Sequence, residues 1–326
     1  MLKDKLTIFI PTYNRWAMLE KTLASTLASN AAGVKVVILD NNSPPEGRAA
    51  VERVIADYPD RQVQIIKNTV NIGGDGNILR CFELCETPYV IVLGDDDFLE
   101  PDFLKKFETF LLSETDYGFI SFQVPRDYAS AQMQDKVFDS PYDLLKESGN
   151  WAELLFISTN VYRKDLVMMG YEQAQRYQLT CSSQLIAVLK GWEASKKTAH
   201  KNRYKFVLAH EPVVASGGHG RDHQSYGTMV VLKGLSIVRS VFENEPQASI
   251  VRKAIRGAAR YVFKPRVLVK EYWRYTLEFG FVYAWRQLCN AKYDLTYLVG
   301  LKSLWYRPYL HLSILLAGAW RFILKR

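Results

Sequence analysis

The first hundred residues alternate between short apolar runs and longer amphipathic segments. Four apolar runs rich in β-branched residues are predicted as strands covered on both faces: Leu6–Pro11, Lys35–Asp40, Val63–Lys67 and Tyr89–Leu93. The segments between them carry apolar residues three and four apart and are predicted as helices: 15–29, 47–57 and 76–85. This βαβαβαβ order predicts an α/β fold with right-handed crossovers and a mainly parallel, Rossmann-like sheet flanked by helices.

A polar cluster follows each predicted strand. The four clusters occupy residues 11–15, 40–43, 68–77 and 94–97. Any one of them is ordinary turn chemistry, but parallel strands bring their carboxyl ends to one edge of a sheet, where ligands bind. The glycine patterns typical of dinucleotide and P-loop sites do not occur in this sequence, which disfavours a dehydrogenase and an ATPase.

Three consecutive aspartates, Asp95 to Asp97, follow the fourth predicted strand. Adjacent carboxylates at the end of a buried strand repel one another, an unfavourable arrangement unless a divalent cation neutralises them. An exposed acidic run would need no such explanation, but this run leaves a buried strand. Oxygen ligands of this kind suit Mg²⁺ or Mn²⁺, which also accept substrate phosphate oxygens. The predicted ligand is a nucleotide diphosphate.

Taken together, these motifs resemble the family 2 glycosyltransferases with the GT-A fold, of the bacterial surface-polysaccharide type. The resemblance rests on four segments, Thr7–Arg15, Val37–Ser43, Asn71–Gly74 and Leu93–Leu99. It is strong over 6–103 and weaker to about 192. It implies a nucleotide pocket lined by Pro11, Thr12, Tyr13, Arg15, Asn71 and Gly73, with Asp40 on the base or its ribose.

The resemblance further implies roles for the aspartates. Asp95 and Asp97 are the two ends of the DxD motif, with Asp97 on the metal and Asp95 toward the ribose or the metal. Asp96 fits either role. The implied cation, Mn²⁺ or Mg²⁺, stabilises the charge that develops on the leaving diphosphate.

Transfer also needs a base that takes the proton from the attacking hydroxyl. Family members usually carry a Glu-Asp pair before a helix roughly ninety residues past the DxD motif. The matching stretch here, 177–191, has the helical pattern but contains no carboxylate. The identity of the base is therefore open.

A glycine-rich loop, Gly217–His223, offers substitutes for the missing pair. Asp222 is the candidate base. His219 resembles a late histidine that some relatives place on the metal, and Arg221 is a candidate for a bidentate contact with phosphate. The alternative is a solvated loop whose polar residues have no role. A lid that closes over the donor would agree with both interpretations.

Three aromatic residues in the acceptor half, Trp151, Tyr162 and Trp192, are candidate platforms for stacking on a sugar ring. Large aromatic side chains mostly serve packing, so a place in the core is the preferred interpretation of each.

Charge is unevenly distributed along the 326 residues, whose formal net charge is +8. Residues 1–251 carry 27 Lys and Arg against 31 Asp and Glu, whereas 252–326 carry 15 against 3.

A hydrophobic content of 48% excludes global disorder. The four cysteines are scattered, without zinc-site spacing, so we expect free thiols and a reducing compartment. The first apolar run is too short for an export signal.

The C-terminal quarter has a basic helical pattern from Arg252 to Lys270, interrupted by Pro265. Aromatic residues crowd 272–285, and 309–324 is almost uncharged but shorter than the roughly 20 residues that span a bilayer. This pattern predicts attachment to an anionic membrane surface. Two alternatives are a single-strand nucleic-acid surface, disfavoured by the apolar end, and a helical subdomain that packs on protein or forms an oligomer interface.

We therefore expect a GT-A catalytic domain over 1–225 and a helical C-terminal region over 226–326. The catalytic domain is divided into a nucleotide-sugar half (1–115) and an acceptor half with the loop (116–225).

The expected function is inverting, metal-dependent sugar transfer to a hydroxyl of a lipid-linked oligosaccharide in polysaccharide, O-antigen or capsule-type assembly. Inversion follows from the resemblance alone. The expected location is peripheral, on the cytoplasmic face of the cell membrane, with no nucleic-acid partner. The alternative is a catalytically silent nucleotide-sugar-binding or scaffold protein. The sequence leaves the sugar, the base and the oligomeric state open.

Overall fold

The computed structural model describes residues 2–29, 33–113, 115–122, 134–199, 203–210, 214–216, 228–262, 265–286, 288–289 and 310–317. The chain divides into two compact units. The first, here called the sheet unit, comprises 1–148, 153–179 and 183–222. The second, here called the helical unit, comprises 149–152, 180–182 and 223–326.

The strands lie in the sheet unit and are β1 (Leu6–Thr12), β2 (Lys35–Asp40), β3 (Val63–Lys67), β4 (Tyr89–Val92), β5 (Asp97–Leu99), β6 (Tyr117–Phe122), β7 (Lys136–Phe138), β8 (Asn160–Arg163), β9 (Lys205–Ala209) and β10 (Val214–Ser216). Among the described residues, eight of them form one sheet in the order β3-β2-β1-β4-β8-β6-β9-β7. The first four are parallel to one another, and β8 and β7 pair with their neighbours in the antiparallel sense. β5 and β10 form a separate antiparallel pair.

The helices are α1 (Trp16–Ser29), α2 (Arg48–Asp57), α3 (Gly74–Leu84), α4 (Phe103–Leu111), α5 (Pro141–Ser148), α6 (Trp151–Leu154), α7 (Lys164–Met169), α8 (Tyr171–Arg176), α9 (Ser183–Ser195), α10 (Thr228–Val241), α11 (Ala248–Val262) and α12 (Pro265–Phe279). α1, α2 and α3 correspond to the three helices predicted from the apolar spacing. The prediction of an α/β fold with a Rossmann-like sheet is therefore confirmed.

The core of the sheet unit forms around the parallel strands. The middle strands are buried along almost their whole length, as at Ile8, Ile38 and Ile91, none of which is more than 1% exposed. α1 presents leucines four residues apart to this core, including Leu19 and Leu23, both 0% exposed. Burial of one such side chain contributes about 2 kcal/mol. The core holds the carboxyl ends of β1, β2 and β4 in fixed relative positions.

β3 lies at the edge of the sheet, and the expectation that all four predicted strands are covered on both faces is wrong for it. Gln64 and Lys67 are exposed, and Val63 and Ile65 are only partly buried against the core. The reason is topological, because β3 has a strand neighbour on one side only. Its sequence, rich in apolar residues, does not distinguish an edge position from a central one.

The helical unit is built on amphipathic helices. One face of α11 is buried, with exposures between 0% and 1% at Val251, Ala254, Ile255, Ala258 and Ala259. Pro265, expected to interrupt the basic helical pattern, is the first residue of α12, where proline's missing N–H costs no hydrogen bond. In the part of 309–324 that is described, 310–317 is helical. Across the described segments, we find no helix with the length and apolarity needed to cross a membrane.

Candidate functional site

Neighbouring polar clusters are joined to one another at the carboxyl edge of the parallel strands. The Asn41 N–H donates to the Thr12 carbonyl oxygen at 2.9 Å, which links the turns after β2 and β1. The Asn68 N–H donates to the Asp40 carbonyl oxygen at 2.8 Å, which links the turns after β3 and β2. The structure thus brings these clusters together, as the order β3-β2-β1-β4 requires.

The carboxylate of Asp95 is buried, and each of its two oxygens accepts a hydrogen bond from the protein. The Thr12 hydroxyl donates to Oδ2 at 2.7 Å, and the Arg15 Nη1 donates to Oδ1 at 2.5 Å. The other terminal nitrogen of Arg15, Nη2, donates to Asp96 Oδ2 at 2.6 Å. One guanidinium group therefore bridges two adjacent carboxylates and offsets their mutual repulsion.

Asp97 is held from a different direction. The Ser158 hydroxyl donates to Asp97 Oδ2 at 2.6 Å and accepts a hydrogen bond from the Gly94 N–H at 2.8 Å. Gly94 has no room for a side chain, because a Cβ there would lie 2.7 Å from Asp97 Oδ2. The contact of Ser158 with the motif is not predicted by the sequence. Ser158 lies in the half expected to bind the acceptor, 116–225, and no local pattern indicates a partner 61 residues away.

Burial perturbs both ends of the DxD motif. It raises the pKa of Asp95 from 3.8 to about 6, against the opposing effects of Arg15 and Thr12. It also raises the pKa of Asp97 to about 6, opposed by the hydrogen bond from Ser158 and reinforced by the negative charges of Asp96 and Asp95. Carboxyls with perturbed pKa values at a strand end are typical of functional sites.

The donor atoms around the motif fit a divalent cation. Within the described residues, Asp97 Oδ1 and Asp96 Oδ1 accept no hydrogen bond, whereas both carboxylate oxygens of Asp95 do. No group of three or more His, Cys, Asp and Glu side chains arranged for a metal ion occurs in the part of the chain that the structure describes. Mg²⁺ in proteins is often held by only one or two carboxylates, with substrate phosphates and water completing its shell.

An asparagine network, also missed, shapes the next part of the edge. Asn41 donates through Nδ2 to Asn71 Oδ1 at 2.7 Å and to the Gly73 carbonyl at 3.2 Å. Asn68 donates through Nδ2 to Asn41 Oδ1 at 3.0 Å and to Asn77 Oδ1 at 2.8 Å. Asn71 and Gly73, both expected in the nucleotide pocket, are therefore held by the turn after β2.

The remaining residues expected in the nucleotide pocket differ in exposure. Tyr13 is 43% exposed and Pro11 is partly exposed, so both present surface at this edge. Asp40 is 0% exposed; its Oδ1 accepts the Ser43 N–H at 2.8 Å, and its Oδ2 has no hydrogen-bond partner among the described residues. The contact of Asp40 with a base or ribose stays a prediction.

β10 leads into the glycine-rich loop directly beside the DxD motif. Its last residue, Ser216, pairs with Asp97 of β5 in the antiparallel register. The loop residues proposed for catalysis and phosphate binding, His219, Arg221 and Asp222, lie outside the described residues. The strand pairing fixes where the loop begins, and the roles of its side chains stay predictions.

The stretch in which family members carry the Glu-Asp pair folds as predicted. Residues 183–195 form α9, with Ser183 and Gln184 buried at its start. Leu179, just before it, has a left-handed φ of 68° and is 73% exposed. No carboxylate occurs between Tyr177 and Gly191.

The aromatic residues considered as sugar platforms are mostly in cores. Trp151 and Tyr162 are 0% exposed, and the Trp151 indole N–H donates to Ser182 Oγ at 3.2 Å. The interpretation of these two as core residues is confirmed. Trp192 is partly exposed, but the Lys196 ammonium lies 3.3 Å from its ring centroid.

Comparison with known sequences assigns the N-terminal part of the chain to a family. Residues 7–166 match the model of the family described as glycosyl transferase family 2. Abequosyltransferase RfbV of Salmonella typhimurium is 30% identical over 112 residues, which are 34% of this chain and 34% of that protein. A GalNAc(5)-diNAcBac-PP-undecaprenol beta-1,3-glucosyltransferase of Campylobacter jejuni is 27% identical over 95 residues, 29% of this chain and 30% of that protein. The matches span about a third of these curated relatives' lengths.

Comparison with solved structures identifies the fold. S. aureus TarS 1-349 in complex with UDP-GlcNAc aligns with a TM-score of 0.55 at 13% identity, covering 95% of this chain and 87% of that one. The mannosyltransferase PcManGT from Pyrobaculum calidifontis, in complex with GDP-Man and Mn²⁺, aligns with a TM-score of 0.52 at 14% identity, covering 99% and 88%. The expected GT-A fold is confirmed. The family match and the fold agree, and the segment 7–166 of this chain belongs to glycosyl transferase family 2.

Proposed function

We propose that this protein is an inverting, metal-dependent glycosyltransferase that moves a sugar from a nucleotide-diphosphate sugar to an acceptor hydroxyl. The observation that carries the proposal is the burial and the hydrogen bonding of the aspartates in the DxD motif. Two buried carboxyls, Asp95 and Asp97, follow the parallel strand β4, and one oxygen of Asp97 has no protein donor among the described residues. TarS and PcManGT, which share the fold, were solved with nucleotide sugars bound.

Different tasks fall to the three aspartates. Asp97, fixed by Ser158, would hold Mn²⁺ or Mg²⁺ through its second oxygen, and Asp96 Oδ1 is a further candidate ligand. Asp95 accepts hydrogen bonds from Thr12 and Arg15 at both oxygens, so we propose that it fixes Arg15 and the pocket wall and lies toward the ribose or the metal. When bound, the cation neutralises the charge that develops on the diphosphate leaving group.

We propose Asp222 as the base that takes the acceptor proton, with His219 on the metal and Arg221 on the diphosphate. The support is positional, because Ser216 pairs with Asp97 and the loop starts at the next residue. The absence of a carboxylate between 177 and 191 leaves the role of base to another segment.

That same absence favours a second candidate function. A nucleotide-sugar-binding or scaffold protein needs the donor pocket but no base, and Ser183 and Gln184 stand at the start of α9 where family members carry acids. Turnover separates the two functions, since a scaffold binds a donor without releasing nucleoside diphosphate.

The acceptor we propose is a lipid-linked oligosaccharide at the cytoplasmic surface of the cell membrane. The Campylobacter relative is named for a substrate attached to PP-undecaprenol. In the helical unit, apolar side chains are exposed by 39% to 63% at Phe279, Phe281, Val282, Leu312, Leu315 and Leu316. The segment 252–326 also carries 15 Lys and Arg against 3 Asp and Glu. Exposed apolar side chains combined with a basic excess are typical of proteins that bind anionic membranes.

The test of the enzyme is release of nucleoside diphosphate from a panel of nucleotide sugars, with and without Mn²⁺. We expect metal-dependent release from one donor, lost in Asp97→Asn and strongly reduced in Asp222→Asn. The matched control is Asp60→Asn, an exposed aspartate, which should keep full turnover.

Full turnover by Asp222→Asn would remove Asp222 as the base. Unchanged metal and donor affinity in His219→Ala would remove the proposed metal role of His219. Donor binding without release across the panel would establish the scaffold.

The test of the membrane proposal is flotation of the full-length protein with anionic vesicles. We expect the protein to float with vesicles that contain phosphatidylglycerol and not with neutral ones. A protein that stays unbound to both contradicts this part of the proposal and leaves the donor chemistry unaffected.

A further inference from the structure

The helical unit contains a charged cleft of its own. Its volume is about 480 Å³, and its lining consists of Gly149, Arg239, Ser249, Arg252, Lys253, Arg256 and Gly257. All of these residues belong to the helical unit. Four of the seven are cationic and none is acidic, so the cleft concentrates positive charge in a small volume.

α11 provides most of the lining because its polar residues share one side. Residues three and four apart in a helix are neighbours, which aligns Ser249 with Arg252 and Lys253, and Arg252 with Arg256. The opposite side of α11 is the buried apolar face described above, so the basic side is fixed toward the cleft by packing. Arg239 adds the fourth cation from α10.

The cations on α11 are not neutralised by acids of the chain. Within the described residues, no carboxylate forms an ion pair with Arg252, Lys253 or Arg256. Like charges one helical turn apart repel and destabilise the helix. An anion bound between them would remove that repulsion.

Two glycines shape the floor of the cleft. A Cβ at Gly257 would lie 2.3 Å from the Gly149 carbonyl oxygen, so α11 approaches the 149 turn as closely as backbone allows. Gly149 itself has a left-handed φ of 63°, which favours glycine. The cleft is therefore a formed feature of the backbone and does not depend on flexible side chains alone.

We propose that this cleft is a discrete binding site for a phosphate or diphosphate group. Arginine guanidinium groups match phosphate oxygens in bidentate geometry, and the Ser249 hydroxyl supplies a neutral donor. The first turn of α11 also lies in the lining and adds the positive end of its dipole. That the cleft binds an anion follows from its own residues. That the anion is the diphosphate of a lipid-linked acceptor rests on the proposed function.

The test measures binding of inorganic pyrophosphate to the full-length protein by calorimetry, in EDTA and in an Asp97→Asn background that disables the donor site. The variant is Arg252→Gln with Arg256→Gln. The matched control is Lys233→Gln with Arg286→Gln, which removes two exposed cations of the helical unit that do not line the cleft. We expect the dissociation constant to rise at least tenfold in the cleft variant and less than twofold in the control.

A second arm identifies the source of the phosphate. Vesicles of phosphatidylcholine with and without phosphatidylglycerol are offered to the same proteins. Loss of both pyrophosphate and vesicle binding in the cleft variant alone assigns the cleft to lipid headgroups, and loss of pyrophosphate binding alone assigns it to a diphosphate. Equal weakening in both variants, or no pyrophosphate binding by the unmodified cleft, overturns the proposal. Because donor hydrolysis is measured separately, failure of the transferase proposal leaves this result unchanged.

Discussion

Ser158 Oγ lies 2.6 Å from Asp97 Oδ2 and joins the DxD motif to the segment that enters β8. The same hydroxyl accepts the Gly94 N–H, so it connects the two ends of the turn that carries the aspartates. The hydrogen bond favours the ionised form of Asp97 and orients its second oxygen away from Ser158. Ser158 is thus a positioning residue for the proposed metal ligand.

Replacing Ser158 by alanine should weaken metal binding. The hydrogen bond lowers the pKa of Asp97 toward its ordinary value, so its loss raises that pKa further above about 6. We expect the Mn²⁺ concentration for half-maximal donor hydrolysis at pH 6.5 to rise about tenfold, and the acid limb of the pH profile to move upward. Ser158→Thr keeps the hydroxyl and should retain most activity. An unchanged acid limb in Ser158→Ala would contradict the role given to Ser158.

Replacing Asp97 by asparagine should stabilise the metal-free protein while abolishing turnover. The folded pKa of about 6 lies above the ordinary 3.8, so the folded state binds the extra proton between these values. The free energy of unfolding therefore falls as pH rises from about 4 to 6, and the ionised Asp97 costs about 3 kcal/mol at pH 7.5. We expect calorimetry in EDTA to show a higher Tm for Asp97→Asn at pH 7.5 and a smaller gain at pH 5. Asp60→Asn should show neither effect, and a lower Tm for Asp97→Asn at pH 7.5 would refute the assignment.

Replacing Arg15 by alanine should lower stability and donor affinity together. It leaves Asp95 buried beside Asp96 without the guanidinium group that bridges them. We expect a loss of about 2 kcal/mol in the free energy of unfolding, measured by denaturant titration. Arg48→Ala breaks an exposed pair with Glu52 on α2 and should cost less than about 0.5 kcal/mol. Equal losses in the two variants would show that the Arg15 pairs are ordinary surface pairs.

Replacing Gly94 by alanine should reduce activity more than stability. The added Cβ would lie 2.7 Å from Asp97 Oδ2, and the carboxylate can only move by giving up its hydrogen bond with Ser158. We expect kcat/KM to fall at least tenfold with an unfolding free energy within about 1 kcal/mol of the parent. Gly76→Ala in α3 meets only ordinary contacts from 3.4 Å and serves as control. Full activity in Gly94→Ala would mean that the Asp97 position is not critical.

Local features were predictable from the sequence because they depend on neighbours along the chain. Apolar periodicity identified β1 to β4 and α1 to α3, and the polar residues after each strand identified the edge that carries the site. Partners distant in sequence were not predictable, since they depend on which strands become neighbours. The Ser158–Asp97 contact needs β8 beside β4, and the Asn41–Asn68 contact needs the β2–β3 pairing. The edge position of β3 has the same origin.

The pairing of β5 with β10 also bears on the order of events in a catalytic cycle. Ser216 and Asp97 share a strand pair of only three residues, so the pair has few backbone hydrogen bonds and responds to changes at either end. A cation and donor that fix Asp97 would therefore fix the start of the loop before an acceptor arrives. Donor binding before acceptor binding is what this short strand pair leads us to expect.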